Sequence, residues 1–253
     1  MQTIHSIFLG ILEGFTEFLP VSSTAHLVLA NYFLGYDLRS DLIQTFEISI
    51  QLGAVFAVVF YYFKDLIKLE TIKILVVGVV PTIVIGLVFK DYVKILLANP
   101  QVIAYTLLLG GIIMIITEVW YKKQSNFKKE ITYKNSFLFG VVQSIAMIPG
   151  VSRSGAIIVS GLIMRYEREV IAKYAFLLAV PTMFAATCYS ILKNREVFLN
   201  EQNNILNIFI GFSFAFLTAL IVLKMLIPFV KKYSFVPFGI YRILLGIILI
   251  INL

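Results

Sequence analysis

Along this chain the apolar residues come in long runs rather than in the narrow stripe of a soluble amphipathic helix. Six runs are long enough, apolar enough and suitably flanked to cross a bilayer: about residues 42–63, 74–90, 101–121, 169–192, 205–227 and 235–252. Two more stretches, 4–35 and 136–165, are equally apolar but are broken near the middle by Pro, Gly and runs of Ser, Thr or Arg. Such interruptions are expected where helices enter a membrane, turn and leave on the same side. The pattern predicts an all-α polytopic membrane protein, with about six transmembrane helices plus two re-entrant helical hairpins. Counting the hairpins as crossings gives the alternative of eight plain spans.

Composition agrees with that pattern. Of the 253 residues, 60% are hydrophobic and only 14% are charged, against roughly 25% charged in soluble domains, and mean hydropathy is +0.93. An ordinary soluble domain is excluded. The net charge of +7 would suggest nucleic acid in a soluble protein, but here the basic residues sit in short loops between apolar runs. No nucleic-acid partner is expected; membrane lipids are. If the five-lysine loop 121–134 is cytoplasmic, the same side collects Lys64, Lys68, Lys73, Arg165, Arg168, Lys173, Lys224, Lys231 and Lys232. The other side receives Arg39, Lys90, Lys94, Lys193 and Arg195. This imbalance follows the positive-inside rule and places both termini outside. A lone cysteine, Cys188, excludes a disulfide framework and a thiolate metal cluster. Glu13 interrupts the first apolar stretch and no basic segment precedes it, so no cleavable signal peptide is expected.

A shift of 130 residues lays LGILEGFTEFLPVSSTA (9–25) over FGVVQSIAMIPGVSRSG (139–155), matching Gly10 to Gly140, Glu13 to Gln143, Val21 to Val151 and Ser22 to Ser152. Three spans follow each copy, and an odd number inverts the second copy. The expected organisation is a single membrane domain, 1–253, with repeat 1 over about 1–121 and repeat 2 over about 136–253, joined by the basic cytoplasmic loop 122–135. Inverted repeats with broken helices place a binding site near the bilayer midplane, where the breaks meet.

The polar residues in those breaks suggest the chemistry. Glu13 and Glu17 are four apart, so they share a helix face, and no Lys or Arg occurs before residue 39. Carboxylates in such a segment should pair, bind a cation or act as acid and base, unless the segment is interfacial and both are solvated. PVSSTAH (20–26) reads as a Pro turn with hydroxyls for an N-cap, Ser22 and Ser23 included, followed by a helix start that attracts anions. Ser23 and His26, three apart, are placed to share a proton, with His26 as candidate base or nucleophile; plain hydrogen-bonded structure is the alternative. PGVSRSGA (149–156) surrounds Arg153 with Ser152 and Ser154, a set suited to holding phosphate, although Arg153 could instead neutralise Glu13 or Glu17. Gln51, with Glu47, and Gln143 are candidates to support the same cluster. Pro81 and Pro181, each in a VPT string, read as kinks, and His5, Glu118 and Arg242 as structural. Gly110 and Gly111 permit the close helix packing that a homodimer would use, without requiring one.

EGFTEFLPVSSTAH (13–26) and PGVSRSGA (149–156) resemble the two signature regions of the bacterial undecaprenyl-diphosphate phosphatases, also called bacitracin-resistance proteins. FEISIQLGAVFAVV (46–59), the length and the span pattern extend the resemblance over essentially the whole chain. It implies hydrolysis of a polyprenyl diphosphate lipid, undecaprenyl diphosphate, to the monophosphate carrier of cell-wall synthesis in the bacterial inner (plasma) membrane, with a divalent cation such as Mg²⁺ or Ca²⁺. On this resemblance Glu13 and Glu17 are assigned to metal binding, Glu17 also to catalysis, Ser23 and His26 to nucleophile or acid/base roles, and Ser152 and Arg153 to phosphate binding. Where the family pattern continues SRSGAT, this chain has Ile157, which removes a hydroxyl from the expected phosphate segment.

The type-2 phosphatidic acid phosphatases also combine an SR string with histidine chemistry, but they need a second His after it, and none follows His26. The remaining rival is an inverted-repeat transporter that flips a polyprenyl phosphate lipid without hydrolysing it. Release of phosphate separates the two.

Overall fold

The computed structural model describes residues 1–38, 40–97, 99–193 and 202–252. Arg39 and Arg195, two of the basic residues counted to the outer face, lie outside the described residues. The elements are α1 (Thr3–Thr16), α2 (Ser23–Phe33), α3 (Asp41–Tyr61), α4 (Phe63–Leu66), α5 (Leu69–Leu97), α6 (Pro100–Tyr121), α7 (Tyr133–Ile145), α8 (Arg153–Ile163), α9 (Arg168–Lys193), α10 (Gln202–Lys232) and α11 (Val236–Asn252). The fold is all-α and polytopic, as expected.

Among the described residues five helices are long and apolar enough to cross a membrane: α3, α5, α6, α9 and α10. The sixth expected span, 235–252, folds as α11 with 17 residues, at the short end of crossing length. Both interrupted stretches form pairs of short helices. α1 and α2 have 14 and 11 residues, α7 and α8 have 13 and 11, or about 16–21 Å each at 1.5 Å per residue. None of the four crosses a ~30 Å hydrocarbon core alone, which is the geometry of a re-entrant hairpin.

α1 lies along α10, α7 lies along α5, α3 packs on α9, and α6 packs on α11. Small residues permit the first two contacts. A Cβ on Gly10 would run into the backbone of Gly211, and one on Gly140 into the carbonyl of Gly78 and the ring of Pro81. Positions 10 and 140 are 130 apart, and so are 81 and 211. The hairpins thus dock on the long helices α10 and α5 at matching positions. Large side chains such as Phe60, Ile116, Ile221 and Met225 remain exposed on the outer helix faces. Glu13, Glu118, Gln143 and Arg242 are buried. Apolar side chains thus face outward as well as inward, because lipid accepts apolar groups and penalises polar ones.

The Gly110 and Gly111 pair is used within the chain. A Cβ at Gly110 would collide with the Arg242 guanidinium, and one at Gly111 would meet the Gly239 carbonyl and Ile243. These glycines fit α6 against α11 and are not a free helix face for a second copy.

Candidate active site

The two breaks are built alike. α1 ends at Thr16, and Pro20, which has no N–H and restricts the residue before it, prevents the helix from resuming until Ser22 caps α2. Ser22 has φ 71°, and its Oγ accepts from the Ala25 amide at 3.4 Å. In the second break α7 ends at Ile145, Gly150 turns the chain at φ 88°, and Ser152, again at φ 71°, caps α8 by accepting from the Gly155 amide at 3.1 Å. Left-handed backbone in a non-glycine residue costs about 1–3 kcal/mol and persists where surrounding contacts hold it.

Arg242 on α11 supplies such contacts. Its Nη1 donates to Pro20 O (3.2 Å) and Val151 O (3.0 Å), and its Nη2 to Gly150 O (2.9 Å) and Thr106 O (3.1 Å). The residue is 1% exposed. One guanidinium therefore ties the first break, the second break and α6 together through backbone carbonyls. Thr106 adds a hydrogen bond to Pro149 O at 2.6 Å, and Ser154 donates to Leu19 O at 3.3 Å, directly from the second break to the first.

Between the breaks lies a cavity of about 320 Å³. Ser22, Ser23 and Thr24 bring the N-terminus of α2 to its wall, and Ser152 and Arg153 bring that of α8. Helix N-termini carry unsatisfied amides and a partial positive charge, so two of them on one cavity favour an anion. α3 contributes Gln44, Glu47 and Gln51.

Glu17 joins the two sides. Its Oε1 accepts a close hydrogen bond from Arg153 Nη2, and its Oε2 accepts from Ser23 Oγ at 2.5 Å. Arg153 also reaches Ala179 O at 3.4 Å. Glu13, one helical turn back, is fully buried, and both its carboxylate oxygens lack a protein hydrogen-bond partner. A buried carboxylate without a partner is costly, and the oxygen-only pair of Glu17, on the cavity wall, and Glu13, which does not line it, suits a hard cation such as Mg²⁺ or Ca²⁺, which takes one or two carboxylates and completes its shell with water and substrate oxygens. Among the described residues no group of three or more His, Cys, Asp or Glu is close enough to form an all-protein ion cage.

Other candidates are placed differently from expectation. His26 does not pair with Ser23 and does not line the cavity: its Nδ1 meets Ser22 O at 2.7 Å and its Nε2 meets Tyr241 OH at 2.6 Å. The i−4 carbonyl of its own helix turn competes better for Nδ1 than a hydroxyl already donated to Glu17. Ser154 bonds Ser152 and Leu19 rather than facing the cavity. Ile157 is fully buried in the main apolar core with Phe18, Leu27 and Ile158, so a Thr there would not place its hydroxyl on the cavity wall.

Gln51 and Gln143 both line the cavity, and Gln143 reveals a feature the sequence reading passed over. Thr82 and Thr182 follow the two kink prolines, and both accept from Gln143 Nε2, at 2.9 and 3.1 Å. Thr82 gives its own hydrogen to Gly140 O and Thr182 gives its to Leu178 O, so each hydroxyl is left as an acceptor for Gln143. The duplicated VPT string was the available signal. Glu47 accepts from Asn31 at 2.6 Å, and Glu118 is chelated by Arg168 at 3.0 and 2.6 Å, a structural role as expected.

The family model described as bacitracin resistance protein BacA matches residues 6–248. The chain belongs to the bacitracin resistance protein family. Proteins named undecaprenyl-diphosphatase resemble it end to end. The one from Persephonella marina is 46% identical over 255 residues, covering 99% of each chain. That from Wolinella succinogenes is 45% identical over 258 residues, 100% of this chain and 99% of its own, and that from a Sulfurihydrogenibium species 44% over 252 residues, 98% of each. With its five long apolar helices, this BacA-family chain is a multi-pass membrane protein.

Proposed function

We propose that the protein hydrolyses undecaprenyl diphosphate to undecaprenyl phosphate and inorganic phosphate at the cavity between the two breaks. The observation that carries this is the Glu17 carboxylate, which holds the Ser23 hydroxyl of one hairpin and the Arg153 guanidinium of the other. The names of its full-length relatives point to the same activity, and favour it over lipid flipping.

In this mechanism Arg153, Ser22, Ser152 and the first amides of α2 and α8 bind the terminal phosphate. Phosphoryl transfer depends mainly on placing reactants and stabilising charge on the transferring oxygens, which a guanidinium and two helix N-termini supply. Glu17 orients the Ser23 hydroxyl and is placed to take its proton. Ser23 Oγ then attacks the terminal phosphorus, the bond to the bridging oxygen breaks, and undecaprenyl phosphate leaves. Water hydrolyses the seryl phosphate to release inorganic phosphate and restore the hydroxyl. Glu13 and Glu17 would hold a divalent cation, which neutralises diphosphate charge when bound.

Orientation follows from the basic residues. With loop 122–135 in the cytoplasm of a bacterial inner membrane and both termini outside, α3 runs inward from Asp41. The cavity wall formed by Gln44, Glu47 and Gln51 is then on the outer half of the span. The site would release phosphate outward. The pairing of α1 on α10 with α7 on α5 supports the inverted-repeat organisation proposed for the two halves.

The test is phosphate release from undecaprenyl diphosphate by detergent-purified protein with Mg²⁺, next to Ser23→Ala, plus acid-quench trapping of a labelled phosphoryl group. Release with label on Ser23 is expected. Release without label would replace the serine step by direct water attack, and no release from folded protein would favour the transporter.

A further inference from the structure

We infer that His26 is a positioning residue, which locks the left-handed Ser22 turn and so presents Ser23 to the cavity, rather than an acid or base of the reaction. This rests on the phosphatase reading above. A carbonyl oxygen can only accept, so the 2.7 Å contact with Ser22 O fixes the hydrogen on Nδ1. The other ring nitrogen is bound to Tyr241 OH at 2.6 Å, and the two rings stack at 8° to one another. In either charge state both nitrogens are engaged, and neither the His26 ring nor Tyr241 lines the cavity.

The held carbonyl is well chosen. Ser22 C=O and Ser23 N–H belong to one planar trans peptide unit, in which they point in opposite directions. Holding the carbonyl along the axis of α2 therefore turns the Ser23 amide outward from the helix N-terminus and fixes the base of the Ser23 side chain. The helix bond that should hold this carbonyl is long, with His26 N at 3.3 Å from Ser22 O. At the second break the corresponding bond, from Ala156 N to Ser152 O, is 2.9 Å, and the side chain at 156 is a methyl. The imidazole thus reinforces the break whose backbone bond is weak, and no equivalent residue stands where that bond is short. Tyr241 sits next to Arg242 on α11, so consecutive residues of one helix brace the first break, through His26 and directly through Pro20 O.

The experiment compares His26→Asn, His26→Gln and His26→Ala for kcat, KM and the pH profile of phosphate release between about pH 5 and 9, the range in which a histidine acid or base would titrate. An Asn amide nitrogen occupies the place of Nδ1 and can donate to Ser22 O, whereas Gln imitates Nε2 and Ala imitates neither. His26→Asn should keep kcat within about threefold with the wild-type pH profile, while Gln and Ala lose about tenfold or more; loss of a working acid or base removes ~10²–10⁴-fold. Tyr241→Phe, which leaves His26 in place and guards against misfolding, should lower kcat a few-fold without reshaping the profile. The inference is overturned if Asn is as impaired as Ala, if a limb of the pH profile disappears with the imidazole, or if Ala retains wild-type activity. Phosphate release by the wild type in the same assay distinguishes failure of this role from failure of the phosphatase reading.

Discussion

Glu17 on the first hairpin accepts a hydrogen bond from Arg153 on the second, across 136 residues of chain. The pair is little exposed, with 15% of the Arg153 side chain and 7% of the Glu17 side chain accessible, and it lines the cavity beside Ser23. In the proposed mechanism it couples the proton acceptor for Ser23 to the group that holds the phosphate.

Arg153→Lys is therefore not conservative. Lysine provides a point charge without the planar fork, and phosphate release should fall by about 10²-fold, with Arg153→Ala lower still. Glu17→Gln should fall comparably, and the double variant should be no worse than about the lower of the two singles, because each loss disables the same unit. Steady-state phosphate release by the four proteins checks both statements. Additive losses would show that the two residues act independently.

Arg242 should matter as much for stability as for rate. Arg242→Met fills much of the space but takes the guanidinium from the carbonyls of Pro20, Gly150 and Val151 in a buried site, at about 1–3 kcal/mol for each left without a partner. Gly110→Ala should reproduce part of the effect by crowding the guanidinium. A lowered unfolding temperature of the purified proteins in detergent is the expected result for both. Unchanged stability of Arg242→Met would mean that the breaks hold their shape without it.

Restoring threonine at position 157 should not improve catalysis. Ile157 is fully buried among apolar side chains, and a Thr hydroxyl there would turn to the carbonyl of Arg153 one turn back on α8. Ile157→Thr is expected to leave kcat/KM within about twofold and to cost about 1 kcal/mol through lost apolar volume. A several-fold gain in kcat/KM would place that hydroxyl in the phosphate site after all.

On the α4 side, Asp65 carries a pH dependence of known sign. Hydrogen bonds from Lys173 at 2.7 Å and Lys68 at 2.9 Å hold its carboxyl below the usual carboxylate range. A depressed pKa stabilises the fold above the unfolded value, and that contribution disappears as pH falls through the folded value. Asp65→Asn should cost about 0.5–1 kcal/mol at neutral pH, a modest amount because the pair is partly solvated, and the difference from wild type should close below about pH 4. Thermal unfolding of both proteins across that range is the measurement.

Much of this was legible in the chain. The length of each apolar run set which segments cross, because a bilayer leaves backbone groups no partner except their own helix. Pro20, Gly150 and the capping serines marked the breaks, because a missing N–H, a left-handed φ and an N-terminal hydroxyl act on their immediate neighbours. Glu17, Ser23 and Arg153 were found because charges and hydroxyls in such a segment require a reason. For Arg153 the sequence left two options, holding phosphate or neutralising Glu13 or Glu17, and its contact with Glu17 is the ion pair of the second.

Side-chain partners across the fold were decided by packing. His26 at i+3 from Ser23 looked like a proton partner, yet its ring nitrogens go to Ser22 O and to Tyr241, 215 residues away. Arg242 read as structural, yet nothing near it in sequence shows that α11 would deliver it to the carbonyls of both breaks. The VPT strings read only as kinks at Pro81 and Pro181, and it is α5 and α9 that bring the threonines after them to one glutamine. Backbone geometry is dictated over a few residues and can be read locally. Which donor meets which acceptor depends on how whole helices pack, and that is settled only when the tertiary structure forms.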